Sequence, residues 1–385
     1  MRIGIDGGPL ERDREGIARY LLSLLRMWAQ GHQAHEYYLY FEHEVPVDRL
    51  LDDPCFTRRL PARLPLPKRN IRQLLWEQTV LPLAARRDRV DLFFSPWHTM
   101  PAFLGRAAAV TIHDVSYEAH PEWWRLAQRW RLRIFSRLAA RKARAVLTDS
   151  QFSRQELLKY YRLPLSKVHA IPLAADDVFR PLPAGAAREI VTSRFGLDEN
   201  YLLFVGSLYS RRHIPTLLEA FELALKDGGP PMLVVVGVDR LRSSFTLRQA
   251  IDALNLRGGR RAVLHLPWVE DSELVCLYNA ATAFITLTEY EGFGLPALEA
   301  MACGTPVIAA RASTIPEVVG EAGYLVSDPA DATEVNQAIL EVAGHTEVRA
   351  QMIQKGFEQA STFSWRRCAD ETMRVLEQCA RTPGF

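Results

Sequence analysis

Short β-rich runs separated by amphipathic helical stretches recur along all 385 residues, a pattern that folds into parallel sheets covered by helices on both faces. The predicted strands of the first half are Arg2–Asp6, Tyr37–Phe41, Asp91–Ser95, Ala108–Ile112, Ala145–Thr148 and Val168–Ile171. After a break the pattern restarts with Tyr201–Val205, Met232–Val236, Ala262–Leu266, Ala283–Leu287 and Pro306–Ala309. The break, Pro172 to Leu197, carries Asp176-Asp177, Pro181, Pro183 and Gly185 and reads as a linker. One core rarely fills a chain of this length, so two doubly wound domains are expected, residues 1–175 and 198–363. A closing helix over about 364–385, begun at Phe363-Ser364-Trp365 with Ser364 as N-cap and running through Gln378, is expected to rejoin the first domain. In such sheets ligands bind beyond the carboxyl ends of the strands, which directs attention to the loops that follow them.

The most informative of these loops follows Ala283–Leu287. There Glu291 and Glu299 stand eight positions apart, separated by Gly292-Phe293-Gly294 and by Pro296, which suits the first turn of a helix because its missing N–H has no partner there. The glycines leave the backbone N–H groups of Gly292 to Leu295 open at a helix N-terminus, a site for a phosphate or a sugar hydroxyl. Carboxylates beside it would accept hydrogen bonds from diols. Three more constellations sit at strand ends. Gly7-Gly8-Pro9 follows the first strand and Gly16 opens the first helix, so Gly8 and Gly16 allow a phosphate or acceptor to approach the backbone. Their spacing is not that of a dinucleotide fingerprint. His113-Asp114 follows Ala108–Ile112, and Gly206-Ser207-Leu208-Tyr209-Ser210-Arg211-Arg212-His213 follows Tyr201–Val205, where two guanidinium groups can reach a diphosphate. Each feature also has a plain structural reading: a solvated helix start for the glutamates, a surface pair for the arginines, a satisfied core histidine for His113, a cap for Asp114 and a tight turn for Gly7-Gly8.

Taken together, these residues resemble retaining glycosyltransferase family 4, over essentially the whole chain. Glu291 to Glu299 resembles the family's E-x7-E signature, and Ala300-Met301-Ala302-Cys303-Gly304-Thr305-Pro306-Val307 continues it as A-x-A-x-G-x-P-V. Arg211-Arg212-His213 stands where the family usually has Arg-Lys-Asn. The opening strand, Gly16-Ile17-Ala18-Arg19-Tyr20 and the closing Phe363-Ser364-Trp365 helix resemble the mannosyltransferases that build bacterial O-antigen and exopolysaccharide chains.

The resemblance implies the GT-B fold: two facing Rossmann-like domains with a cleft between them, the sugar nucleotide on the second and a glycan or lipid-linked acceptor on the first. It implies that Glu299 binds the ribose, Glu291 the donor sugar, and Gly206, Ser207 and the Phe293, Gly294 and Leu295 amides the sugar and phosphates. Arg211 and Arg212 would neutralise the departing diphosphate, His113 would contact the sugar and acceptor, and Val269 and Leu274, with Trp268, would flank the base. No Asp-x-Asp metal motif is visible, so no metal and no cofactor beyond the donor are expected. The implied reaction is retaining hexosyl transfer, with mannose from GDP-mannose as first choice. UDP- or dTDP-linked sugars stay open, as does a non-catalytic glycan-binding or scaffolding role. A sugar-nucleotide epimerase lacks this donor motif, and nothing marks the pyridoxal-phosphate lysine of a phosphorylase.

Charge adds a partner. Residues 1–180 hold 29 Lys+Arg against 20 Asp+Glu, while the chain as a whole is near neutral. Within 121–144, Trp123, Trp124, Trp130 and Phe135 interleave with Arg125, Arg129, Arg131, Arg133, Arg137, Arg141, Lys142 and Arg144. That is the composition of a helix lying on an anionic bilayer, or of aromatics packed on a sheet beneath a solvated basic face. Arg58-Arg59, Arg63 and Lys68-Arg69 add charge in a Pro-rich loop. No nucleic-acid partner is expected. No apolar run reaches the length of about 18 residues that spans a bilayer, the chain opens directly on a strand, and five scattered cysteines show no metal spacing. A cytoplasmic protein, peripheral on the inner face of the plasma membrane if 121–144 binds lipid, is the expectation.

Overall fold

A computed structural model describes residues 1–381 apart from 13–15, 33, 62–68, 199, 241–245 and 258–260. Arg63 and Lys68 of the Pro-rich loop lie outside the described residues. The chain divides into two compact units, Met1–Leu173 with the closing helix from Ser364, and Ala174–Phe363.

The strands of the first unit are β1 (Arg2–Asp6), β2 (Glu36–Tyr40), β3 (Phe56–Arg59), β4 (Leu92–Ser95), β5 (Ala107–Thr111), β6 (Ala145–Thr148) and β7 (Val168–Ala170). They form a sheet in the order β3-β2-β1-β4-β5-β6-β7, every pairing parallel. Strands such as Leu92–Ser95 and Ala107–Thr111 are buried throughout, because helices cover both faces, and this is why they read as unbroken apolar runs. β3 escaped the sequence reading: Phe56-Thr57-Arg58-Arg59 is an edge strand with an exposed, charged end.

The second unit contains β8 (Tyr201–Val205), β9 (Met232–Val236), β10 (Val263–Leu266), β11 (Ala283–Thr286), β12 (Val307–Ala310) and β13 (Gly323–Val326), in the parallel order β10-β9-β8-β11-β12-β13. In both sheets the chain leaves the centre in one direction and returns to build the other half. β1 therefore adjoins β4 and β8 adjoins β11, and these are the topological switch points where loops diverge and ligands are held.

Part of the expected linker is structured. Ala186–Phe195 is a helix between Gly185 and Gly196, both at positive φ, that buries Ala187 and Val191. Leu182 N–H donates to Asn279 at 2.8 Å and Arg194 pairs with Glu273 at 2.8 Å. Both partners belong to the helix Asp271–Ala280, so this segment is part of the second unit. Pro and Gly density concealed a ten-residue helix whose apolar face is only two side chains wide. The closing helix, Trp365–Arg381, runs one turn beyond Gln378 and buries Trp365, Cys368, Ala369, Thr372, Met373, Leu376 and Cys379 at helical spacing. It returns to the first unit, where Trp28 donates to Ala369 O at 3.1 Å and His32 meets Asp370 at 2.8 Å.

Candidate active site

The loops after β8 and β11 converge at the switch point of the second unit. Arg212 Nη2 donates to Glu291 Oε1 at 2.7 Å, with both side chains largely buried. The Thr288 hydroxyl donates to the same oxygen at 3.2 Å, and Glu291 N–H donates to Ser313 Oγ at 3.1 Å. The carboxylate is thus held in one orientation by a charge-assisted bond and a hydroxyl, and its backbone by a third contact.

Gly206 explains how the guanidinium lies so close. Its φ is +136°, and a Cβ there would fall 1.6 Å from Arg212 Nη1. Gly237, after β9, repeats the requirement one layer down: at φ +149°, its Cβ would stand 2.1 Å from Gly206 O. Arg211 takes another course, its guanidinium 4.5 Å from the Tyr209 ring centroid. His213 adopts φ +48° and opens the helix Ile214–Lys226. The resembling family places Asn at this position, and Asn and His are among the few residues that enter the left-handed region readily.

The first turn of the helix Leu295–Ala302 rises from Gly294 at φ +99°, where a Cβ would stand 2.9 Å from Ile315 Cδ1. Pro296 has no N–H and those of Ala297 and Leu298 turn back to Gly294 O at 3.1 and 3.4 Å, which leaves the Leu295 N–H at the opening of the helix, on a loop joined to the arginine loop through Glu289 N–H and Arg211 O at 2.9 Å. Phe293 is buried edge-on against Phe363, ring centroids 5.7 Å apart. Glu299 is more enclosed than an open diol acceptor: it is buried, and Tyr278 OH donates to its Oε2 at 3.2 Å. Val269 and Leu274 are buried at the start of the helix Asp271–Ala280, whereas the neighbouring Trp268 is exposed. Ser207 is half-buried in the loop after β8.

At the switch point of the first unit the expectations change more. His113 is buried with both ring nitrogens engaged, Nδ1 2.8 Å from Asp149 Oδ2 and Nε2 3.1 Å from the Pro96 carbonyl. A carbonyl can only accept, and a carboxylate does so here, so the geometry calls for N–H on both nitrogens. Burial alone would push the pKa of His113 down, but the charge and hydrogen bond of Asp149, with the Pro96 carbonyl, outweigh it and hold the pKa above its ordinary value. The ring therefore ties together the chain segments after β4, β5 and β6. In this arrangement both ring nitrogens are engaged within the protein, where the resemblance implied a contact with sugar and acceptor. Tyr20 and His98 pack edge-on to it at 5.1 and 5.8 Å. Asp114 caps the following turn through Ser116 N–H at 2.8 Å.

Gly8 is likewise occupied: its N–H donates to Asp6 Oδ1 at 2.9 Å inside a helical turn, Gly8–Arg12. Gly7 carries the steric demand instead, since a Cβ would stand 2.6 Å from the Phe41 ring. Gly16 opens its helix in free space, with nothing within 4 Å of a Cβ. Ser313, Thr288, Tyr278 and Gly237 were missed by sequence reasoning. Only Gly237, directly after the Met232–Val236 run, carried a recognisable signal.

Comparison with known proteins agrees with this fold. The family model for glycosyl transferases group 1 matches residues 187–359, and that for glycosyltransferase family 4 matches residues 14–178. The chain is 29% identical over 400 residues to O-antigen chain mannosyltransferase B of Escherichia coli, covering 98% of this chain and 100% of that protein. Among solved structures, HepE of Anabaena in complex with UDP and glucose is similar at TM-score 0.74 and 18% identity, over 98% of this chain and 100% of that one. WaaG, a glycosyltransferase involved in lipopolysaccharide biosynthesis, is similar at TM-score 0.72 and 18% identity, over 98% and 99% of the two chains. With two parallel-sheet units, a glutamate pair on the second and both matching domains in sequence, the chain belongs to glycosyltransferase family 4 and is a glycosyltransferase of GT-B fold.

Proposed function

We infer that the enzyme transfers a hexose with retention of anomeric configuration, mannose from GDP-mannose being the first choice, to a glycan or lipid-linked saccharide in cell-surface polysaccharide synthesis. The observation that carries this is the Arg212–Glu291 pair at the β8/β11 switch point, beside the N-terminus of Leu295–Ala302. Arg211, Arg212 and the amides of that helix turn supply positive potential where a diphosphate would sit, the charge stabilisation for which other transferases use a divalent metal. On this reading no metal is needed. Glu291 would hold the sugar hydroxyls, Glu299 the ribose, and Trp268, Val269 and Leu274 would flank the base.

In the proposed step the bond from the anomeric carbon to the diphosphate oxygen breaks, and the acceptor oxygen bonds to the same face. The departing phosphate takes the acceptor's proton. His113 would then serve as a positioning residue for the loops of the first unit. Similarity to O-antigen chain mannosyltransferase B supports mannose. The UDP bound by HepE supports a second reading, a UDP-sugar donor in the same site.

A thermal-shift panel of GDP, UDP, dTDP and ADP sugars separates these readings, because a ligand at about 100 times its Kd adds roughly 2.7 kcal/mol of stability. Stabilisation by a uridine sugar alone would replace the mannose assignment, and no stabilisation by any of them would favour the scaffolding alternative.

A further inference from the structure

One face of the first unit leaves large apolar side chains in water. The helices Leu81–Arg87 and Leu126–Lys142 lie on the same side of the sheet, since Leu81, Ala85, Leu132, Ala139 and Ala140 all join one core cluster. Outward-facing positions on a solvated helix should be polar. Here Leu83 is 64%, Leu126 67%, Trp130 48% and Ile134 54% exposed. Leu126, Trp130 and Ile134 recur every four residues, so they form one stripe, opposite the buried Leu132. Phe103, 73% exposed, bridges the two helices: Arg86 donates to its carbonyl at 3.1 Å, and the Lys142 ammonium lies 5.7 Å from its ring centroid.

The charges on the helix that bears this stripe are all of one sign. Arg86, Arg87, Arg106, Arg125, Arg141 and Lys142 are exposed, none pairs with a carboxylate among the described residues, and Leu126–Lys142 contains no acidic residue. Not every cation of the helix is spare. Arg133 and Arg137 bind Glu118 at 3.1 and 2.7 Å, and Trp124 packs edge-on to Tyr117 at 6.0 Å. The structure therefore divides the basic aromatic segment: Trp124, Arg133 and Arg137 serve the fold, while Trp130 and the helix's exposed cations face outward. Single exposed apolar residues need no explanation, but three on one helix stripe, beside cations without carboxylate partners among the described residues, do. Cations on long stems beside an apolar stripe complement lipid phosphates above acyl chains.

We propose that this face seats the first unit on an anionic lipid bilayer, with Leu126, Trp130, Ile134 and Phe103 entering the headgroup layer and Arg141 and Lys142 against lipid phosphates. This deepens the functional reading by placing the first unit where a lipid-linked acceptor is presented, and the vesicle-binding measurement itself needs neither donor nor acceptor. The full chain is sedimented with vesicles of phosphatidylcholine containing about a quarter phosphatidylglycerol, and with pure phosphatidylcholine. The expected result is binding to the mixed vesicles that falls at least tenfold, roughly, on pure phosphatidylcholine or in high salt.

The Leu126→Ser/Trp130→Ser/Ile134→Ser variant should lose about tenfold or more in vesicle affinity, and Arg141→Gln/Lys142→Gln about fivefold per charge removed. Sugar-nucleotide hydrolysis should be unchanged in both variants, which shows that they are folded. Equal binding to both vesicle types, no binding by the parent chain, or parent-like binding by the apolar variant would overturn the proposal. So would a lipid-free dimer in ultracentrifugation that the apolar variant abolishes, since a second copy would then cover the face. Vesicle binding without turnover of any sugar nucleotide would instead count against the functional reading alone.

Discussion

Gly206→Ala is the sharpest test of the proposed donor site. The added Cβ would stand 1.6 Å from Arg212 Nη1 and 2.7 Å from its Cζ, so the guanidinium must leave its place. It would then lose the 2.7 Å bond to Glu291, whose side chain is 19% exposed against 11% for the arginine. At that burial solvent screens the pair only weakly, and a hydrogen bond between charged groups contributes about 1.5–3 kcal/mol. Holding alanine at φ +136° adds strain of about 1–3 kcal/mol. The sum, about 3–6 kcal/mol, is an upper bound because the loop will relax. At roughly 2–4 °C per kcal/mol, the melting temperature should fall by up to about 6–24 °C.

Transfer should suffer more than folding does. Displacing one preorganised cation from a developing diphosphate costs on the order of 100-fold in kcat/KM. The decisive comparison is a cycle with Arg212→Ala. If the glycine matters because the arginine lies across it, the double variant will transfer no more slowly than Gly206→Ala alone. Strictly additive losses, or a Gly206→Ala enzyme with more than half the parent activity, would refute the reasoning.

Three further outcomes are expected. The folded pKa of His113 is raised, so its stabilising contribution is complete below its unfolded value of about 6.5 and is lost as pH rises through the folded value. Melting temperature should therefore decline above about pH 6.5, and His113→Gln should remove that component; an unchanged slope in the variant would assign it elsewhere. Tyr278→Phe removes the hydroxyl that donates to Glu299, and should cost about 1–3 kcal/mol in denaturant unfolding while raising the donor KM. A donor KM equal to the parent's would separate Glu299 from the donor. Gly7→Ala forces a Cβ to 2.6 Å from the Phe41 ring and should destabilise by about 1–3 kcal/mol, with little effect if the turn is slack.

Much of the architecture was legible because its signals are local. Buried parallel strands such as Tyr201–Val205 and Met232–Val236 are continuous apolar runs, and their ends agree between expectation and structure. The strands that escaped, Phe56–Arg59 and Gly323–Val326, lie at sheet edges, where one side is solvated and the pattern is diluted by arginine or glycine. The helix Ala186–Phe195 was hidden by the prolines and glycines around it. The proposed donor loop was legible for a related reason: Gly294, Pro296 and the glutamates are set by backbone geometry at one strand-to-helix turn.

By itself the sequence determined two doubly wound units, the helix-opening turn at Gly294 and the residue types gathered around it. Such choices depend on neighbours a few positions apart. What only the tertiary structure decided are the partners. Arg212 and Glu291 are 79 positions apart and meet because β8 and β11 are adjacent across the switch point. His113 is bound by Asp149 and by the Pro96 carbonyl, so a histidine read as facing substrate holds three loops together. The division of the basic segment into inward and outward side chains also depends on where Glu118 and Tyr117 stand. A side chain's chemistry is written in its own residue, but the atoms that occupy it are supplied by strands that pair far along the chain.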